Sequence, residues 1–212
     1  IVAEGYDYEI IKKAYRPQDD LSLLVTLKAN GTIEKTVIGS LAESLTVDRH
    51  DADDWGRLKE IFASDTLQMV SFTITEKGYS ITSPDGAFRA DVKADFEAGP
   101  ENADSYIGKL AALCYWRYTN GAAPLALVSM DNCSHNGDKL KLAITTFAKE
   151  WAKNGVVEEG FVSYTEDENK VSFPWTMIDK ITPRPAKAVE EKLEAAGYNY
   201  AEVQAKVNEM LR

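Results

Sequence analysis

The side chains best placed to do chemistry fall within residues 127–137, LVSMDNCSHNG. An apolar run, Leu125 to Val128, stops at Ser129. Asp131, Asn132, Cys133, His135 and Asn136 follow before Gly137 opens a helical pattern. Strand, polar elbow and helix is how an open α/β sheet sets polar groups at the carboxyl ends of its strands, where such sheets bind ligands. Nucleophilic hydrolysis needs a nucleophile, a base and a group that orients the base. Cys133 and His135 stand two apart in one elbow and no G-x-S-x-G occurs, so they supply little of that machinery. A zinc site asks for three or four ligands, and His50 and His135 are the only histidines. Carboxylates are abundant, as in any acidic protein, and are not by themselves a glycosidase signal.

The elbow has to be positioned by the elements around it. Residues 1–3 look like the end of a buried strand, turned by Glu4-Gly5. An acid at the end of the second strand of a dinucleotide-binding unit can hydrogen-bond ribose hydroxyls and repels a 2′-phosphate; the alternative is a solvated turn carboxylate. Residues 21–28 and 32–38 form a hairpin signal around Asn30-Gly31, a favoured two-residue turn. Residues 51–63 begin acidic and carry Trp55, Leu58, Ile61 and Phe62 at helical spacing. The run 69–75, MVSFTIT, fits a central strand and puts Thr75-Glu76 at its carboxyl end.

Residues 80–104 are turn-rich and read as a loop excursion with room for a short strand. Residues 104–118 are helical, with Tyr106, Leu110, Leu113, Cys114 and Arg117 on one stripe. Tyr115, Trp116 and Tyr118 read as packing, because no basic groove accompanies them. A helix over 137–153 turns Leu140, Ile144, Phe147 and Trp151 to one side, with Asn136 as its cap and Asn154-Gly155 as its stop. Residues 156–170 read as an acidic loop, 171–185 carry an X-Pro break at Pro174, and 186–212 hold two short helical patterns split by Gly197. The order argues for a mostly parallel sheet covered by helices. Glu4, Thr75-Glu76 and Asp131-Asn132 then fall at strand ends, and the strand-end rule expects them to face one crevice.

Bulk properties narrow the partners. The sequence has 212 residues, 44% apolar and 27% charged, and a formal charge of 24 − 34 = −10. That charge repels phosphate backbones and anionic lipid, so neither nucleic acid nor a membrane surface is an expected partner. No apolar run approaches the length of a membrane span. Cys114 and Cys133 have no metal-ligand spacing and are too few for a disulfide scaffold, which fits reduced thiols in a cytoplasm.

A dinucleotide enzyme calls for G-x-G-x-x-G after its first strand, where backbone N–H groups approach the pyrophosphate. The 13 glycines contain no G-x-G. Either no dinucleotide binds, or the first βα turn lies before Ile1. The opening Ile-Val-Ala-Glu, which reads as the inside of a strand, favours the second.

SMDNCSHNG (129–137) together with FPWTMIDKITP (173–183) resembles the paired signatures of the long-chain polyol and hexuronate dehydrogenases, the mannitol dehydrogenase family. SFTITEKGY (71–79) is similar to that family's third marker and stands at the right place in the order. The resemblance spans essentially the whole chain. It implies NAD-linked hydride transfer between a secondary alcohol of a polyol or sugar acid and the matching ketose, of the mannitol/fructose or mannonate/fructuronate type. Asn132 matches an asparagine whose amide donates to the reacting oxygen, an oxyanion-hole role. Glu76 matches a carboxylate lining the nicotinamide region, with Thr75 beside it, and Asp179 matches an aspartate near the cofactor and reaction centre. Glu4 is the candidate ribose-binding acid, with Asp7 as its rival.

Local readings stand beside these. Glu76 also reads as a turn carboxylate, Asp179 as a partner for Lys180 or Arg184, and Asn132 as a helix cap. His135, Asn136 and Gly137 read as local structure. One family feature is missing: the base, a lysine in K-x-x-x-x-N-x-x-H. The one N-x-x-H here is Asn132 to His135, and five residues before Asn132 stands Leu127.

The expected fold is therefore α/β, a Rossmann-like mostly parallel sheet with helices on both faces and an added β-hairpin, lacking the first Gly-rich βα unit. Residues 1–185 are expected to form an incomplete NAD-binding domain, and 186–212 a helical segment leading towards a C-terminal helical substrate domain. The chain alone is expected not to turn over substrate. A non-catalytic α/β binding or scaffold module is the alternative.

Overall fold

The computed structural model describes residues 1–5, 8–28, 30–179, 191, 194, 195 and 197. The chain divides into two compact units, Ile1–Leu45 with Lys180–Arg212, and Thr46–Asp179. The 186–212 helical segment lies, but for those last four positions, outside the described residues.

In the first unit β1 (Val2–Glu4) pairs with β4 (Ser44–Thr46), and Val2 N donates to Glu43 O at 3.0 Å. The start of the chain is less buried than its apolar sequence predicts: Ile1 is 56% exposed and Val2 half-buried. The predicted hairpin is present as β2 (Ser22–Leu27) against β3 (Ile33–Ile38), antiparallel, with Leu27 opposite Ile33. Its loop is longer than a two-residue turn. Lys28 N donates to Thr32 O, and Gly31 sits at φ +83°, the left-handed position that lets a three-residue loop close.

The second unit is α/β. Its sheet has the order β5 (Met69–Phe72), β6 (Leu125–Ser129), β7 (Val171–Ser172), parallel throughout. Parallel neighbours need crossovers. From β5 the chain passes through α2 (Thr75–Gly78), α3 (Ala90–Ala98) and α4 (Tyr106–Thr119); from β6 it returns through α5 (Asn136–Lys153) and α6 (Glu159–Glu166). Before the sheet, α1 (Ala52–Ala63) is capped by the Asp51 carboxylate, which accepts from Asp54 N.

The predicted helical stripes are the buried ones. Leu140, Ile144, Phe147 and Trp151 of α5 are fully buried, as are Leu110, Leu113 and Cys114 of α4. Phe147 stacks edge-on against both Phe96 and Trp151. Tyr115 and Tyr118 pack on Phe161, which confirms them as core-lining aromatics.

Two helices stand where the sequence reads as loop. α3 lies inside residues 80–104 and buries Val92, Asp95 and Phe96; α6 lies inside 156–170 and buries Phe161, Val162 and Tyr164. Each has a short apolar stripe diluted by polar residues. In α3 a carboxylate occupies the stripe itself: Asp95 is buried because it accepts from Asp104 N and Ser105 N, at 2.8 Å each, ahead of α4.

Arg117 is a fully buried cation. All its donors go to backbone carbonyls: Phe62, Ser64, Leu67, Ala123 and Pro124, at 2.7–2.8 Å. One planar guanidinium thus ties the end of α1 and the chain entering β5 to the chain entering β6. Among the described residues no helix is long and apolar enough to cross a membrane.

Candidate functional site at the carboxyl ends of β5 and β6

β5 ends at Phe72, three residues before the predicted end, because the chain after it is captured by a side chain from the next strand. The Asp131 carboxylate accepts from Ile74 N at 2.8 Å and Thr75 N at 3.1 Å, and Tyr79 Oη donates to it at 2.5 Å. Thr75 consequently sits at φ +62°. A β-branched residue in that region costs roughly 1–2 kcal/mol. Hydrogen bonds to a charged acceptor contribute roughly 1.5–3 kcal/mol each, so the carboxylate more than offsets the strain. Thr75 and Glu76 then open the single turn of α2 rather than finishing a strand.

Tyr79 is 3% exposed and its hydroxyl also bonds Ser129 Oγ at 2.7 Å. Burial, then the hydrogen bond to Asp131, raises its pKa well above the ordinary phenol value, so it stays a donor. Tyr106, at the start of α4, is half-buried; burial first and the Asp131 charge second push its phenol up to about 12.

Asn136 does not cap α5. The residue before the helix is His135, at φ +55° and without a capping bond from its side chain. Asn136 is the first helical residue, is 1% exposed, and holds the segment after β7 in place. Its Nδ2 donates to Thr176 Oγ1 at 2.8 Å, Thr176 O at 3.1 Å and Asp131 O at 3.2 Å, while its Oδ1 accepts from Thr176 N and Gly137 N. Thr176 Oγ1 closes the knot by donating to Ser129 O at 2.5 Å.

Gly137 is needed for a steric reason: a Cβ there would meet Phe173 O at 2.4 Å and Pro174 O at 3.0 Å. On the outer side Trp175 Nε1 donates to Asp138 Oδ1 at 3.0 Å, and its ring lies 4.4 Å from that of His135. The indole donor first, then His135, holds the Asp138 carboxyl below the usual carboxylate range.

The site residues expected from sequence distribute as follows. Asn132 is exposed on the elbow after β6, and its side chain makes no hydrogen bond among the described residues. Thr75 and Glu76 are exposed on the neighbouring turn, and Glu76 is ion-paired with Lys139 of α5. The structure brings these three together around Asp131. Asp179 is exposed, three residues along the chain from Thr176; Lys180 and Arg184, its suggested partners, lie outside the described residues.

Glu4 belongs to the first unit, where its Oε2 accepts from Ile10 N at 3.1 Å and Ile11 N at 3.4 Å. Its carboxylate therefore also fastens the backbone at Ile10 and Ile11. Asp7 lies outside the described residues. Among the described residues no group of three or more His, Cys, Asp or Glu side chains is placed to hold a metal.

Sequence reasoning missed Asp131, Tyr79 and Thr176 as the framework of this site. Asp131 stands in the elbow motif, but its partners are 52–57 residues away along the chain, beyond any local period.

Comparison with known proteins bears on the family and the fold. Residues 6–210 match the family model described as the mannitol dehydrogenase Rossmann domain. The chain is 45% identical over 202 residues to a D-mannonate oxidoreductase of Thermotoga maritima, covering 95% of this chain and 37% of that protein. It is 32% identical to a polyol:NADP oxidoreductase of Gluconobacter oxydans, covering 87% of this chain and 36% of that one.

Among solved structures, a Pseudomonas fluorescens mannitol 2-dehydrogenase in ternary complex with NAD and D-mannitol superposes with a TM-score of 0.70 at 28% identity, over 89% of this chain and 36% of that one. A substrate-free D-sorbitol dehydrogenase gives a TM-score of 0.71 at 27% identity, over 92% and 39%. The chain thus spans well under half the length of these relatives. With its three ordered motifs, its parallel Rossmann-like sheet and a match over nearly its full length, the chain belongs to the mannitol dehydrogenase family, in its Rossmann domain.

Proposed function

We propose that this chain is the cofactor-binding portion of an NAD-dependent dehydrogenase that interconverts a secondary alcohol of a polyol or hexuronate and the matching ketone, in the cytoplasm. Residues 1–185 form its incomplete NAD-binding domain and 186–212 lead towards a helical substrate domain. The observation that carries the reading is Asn132, a carboxamide presented to solvent at the carboxyl end of β6 with no hydrogen bond among the described residues. Strand ends of an open parallel sheet are where such folds bind ligands.

An amide donor, a threonine and a carboxylate stand on neighbouring turns at the carboxyl ends of β5 and β6, a set of groups that suits the nicotinamide end of NAD. When bound, NAD supplies the hydride acceptor or donor. Asn132 donates to the reacting oxygen and favours it as negative charge develops there, with a neutral group that does not titrate. Glu76, held by Lys139, and Thr75 line the cofactor region, and Asp179 borders the reaction centre. Glu4 binds ribose hydroxyls, and its charge disfavours the 2′-phosphate of NADP.

The substrate reading leans to hexuronates, because the 45%-identical relative is a D-mannonate oxidoreductase. The chain holds no K-x-x-x-x-N-x-x-H, so the 212 residues alone are expected to lack turnover.

The test is a panel of fructuronate, tagaturonate and fructose with NADH and NADPH on the full-length protein. Fructuronate with NADH is expected to react fastest. Asn132→Ala should lower kcat by about 10²–10³-fold, and a retained rate would remove Asn132 from the mechanism. The 212-residue chain should show no dehydrogenase activity in the same assay; measurable turnover would overturn that expectation.

A further inference from the structure

We infer that Asp131 is a positioning residue for this reaction: its carboxylate fixes where the Asn132 amide stands by locking the β6 elbow to the turn after β5. The inference rests on the reading of Asn132 given above. Because Asn132 has no hydrogen bond of its own among the described residues, its place is dictated by the main chain beside it. That main chain is pinned at Asp131 from several directions. One carboxylate oxygen accepts from Thr75 N at 3.1 Å, the other from Ile74 N at 2.8 Å and Tyr79 Oη at 2.5 Å. The Asp131 carbonyl accepts from Cys133 N at 2.9 Å and Asn136 Nδ2 at 3.2 Å. The same carboxylate holds Thr75 at φ +62° and so sets the start of the turn that carries Glu76. A single side chain therefore sets both polar loops of the strand-end surface.

The chemistry of the cluster requires a group that only accepts. Three donors converge on it, and two of them are main-chain N–H groups on different oxygens. An asparagine has the same shape but one acceptor oxygen. Whichever way its amide is turned, the NH₂ faces a backbone N–H. Asp131→Asn thus removes the lock with little change of volume.

The experiment is a double-mutant cycle in the full-length protein, with kcat and KM for the ketouronate and NADH and with melting midpoints for every variant. Asp131→Asn is expected to lower kcat by about 10–100-fold, the scale of a small misplacement of a reacting group. In the Asn132→Ala background the same change should cost a clearly smaller factor, what remains being the loss through the turn that carries Thr75 and Glu76. A role limited to stability would instead lower the rate by the same factor in both backgrounds.

Tyr79→Phe removes one of the three donors and keeps both amide bonds. It should lower kcat by about 2–10-fold, again chiefly where Asn132 is present, and it carries the same cycle if Asp131→Asn does not fold. Wild-type kcat in both variants, or equal factors in both backgrounds, would overturn the positioning role. Asn132→Ala at the wild-type rate would instead overturn the reading of Asn132 itself.

Discussion

At the scale of single residues, the side chains that organise this protein are polar ones whose partners are mostly backbone. Arg117 is the plainest case. It is 1% exposed and meets five carbonyls and no carboxylate. Removing a buried group of this kind leaves its acceptors without water or donor, at roughly 1–3 kcal/mol for each one that stays dry. Arg117→Met is therefore expected to cost about 3–5 kcal/mol, read as a lowered urea midpoint. A loss below about 1 kcal/mol would mean that water replaces the guanidinium. The stripe containing Arg117 is legible from helical spacing, but its role is not. Spacing says that the side chain faces inward; only the convergence of three loops says what an inward-facing cation can bond.

At the scale of elements, the segment after β7 is tied to α5 through Asn136, Gly137 and Asp138. The close approach of Phe173 O and Pro174 O to Gly137 leaves no room for a Cβ, since both obstacles are backbone. Gly137→Ala should force the 173–176 segment away from the helix and weaken the Asn136–Thr176 bonds. The expected cost is about 1–3 kcal/mol, seen as a fall in melting midpoint together with a changed Trp175 environment in tryptophan fluorescence. An unchanged midpoint would contradict the geometry.

Element existence was readable wherever the apolar period was long, as in α1, α4 and α5. It was not readable for α3 and α6, whose stripes are short and carry polar residues. Asp95 looks like a surface residue in sequence and is buried because the amides of Asp104 and Ser105 come to it.

At the scale of the whole molecule, several acidic protons are buried. Burial pushes Cys114, Tyr106 and Tyr164 up to about 12, and raises Tyr79 as well. Each is held more tightly in the folded chain than in the unfolded one, whose thiols and phenols titrate near pH 8.5–10. The stability they contribute is fully present below that range and is lost as pH rises from it towards about 12, because the unfolded chain releases protons that the folded chain keeps. The urea midpoint should fall steadily between about pH 9 and 11; a flat profile would contradict these shifts. In the same range Cys114 should resist a thiol reagent until the protein unfolds, while the half-buried Cys133 is labelled first.

The sequence by itself determined the family and the order α1, β5, α4, β6, α5 within Thr46–Asp179, and it singled out Asn132 as the residue to test. Those depend on local motifs and on periods of 2 and 3.6, which are written along the chain. The tertiary structure decided that Asp131, read in sequence only as one of the strand-end polar residues, is the centre of the strand-end surface, and that Asn136 ties a distant segment instead of capping a helix. It also decided that β5 stops at Phe72. Each of those outcomes turns on a donor and an acceptor separated by 40 residues or more, as between Asn136 and Thr176 or Asp131 and Ile74. A hydrogen-bonding side chain does not state in sequence which distant backbone group it will meet. Only the packing of the parallel strands brings the two within 3 Å of one another.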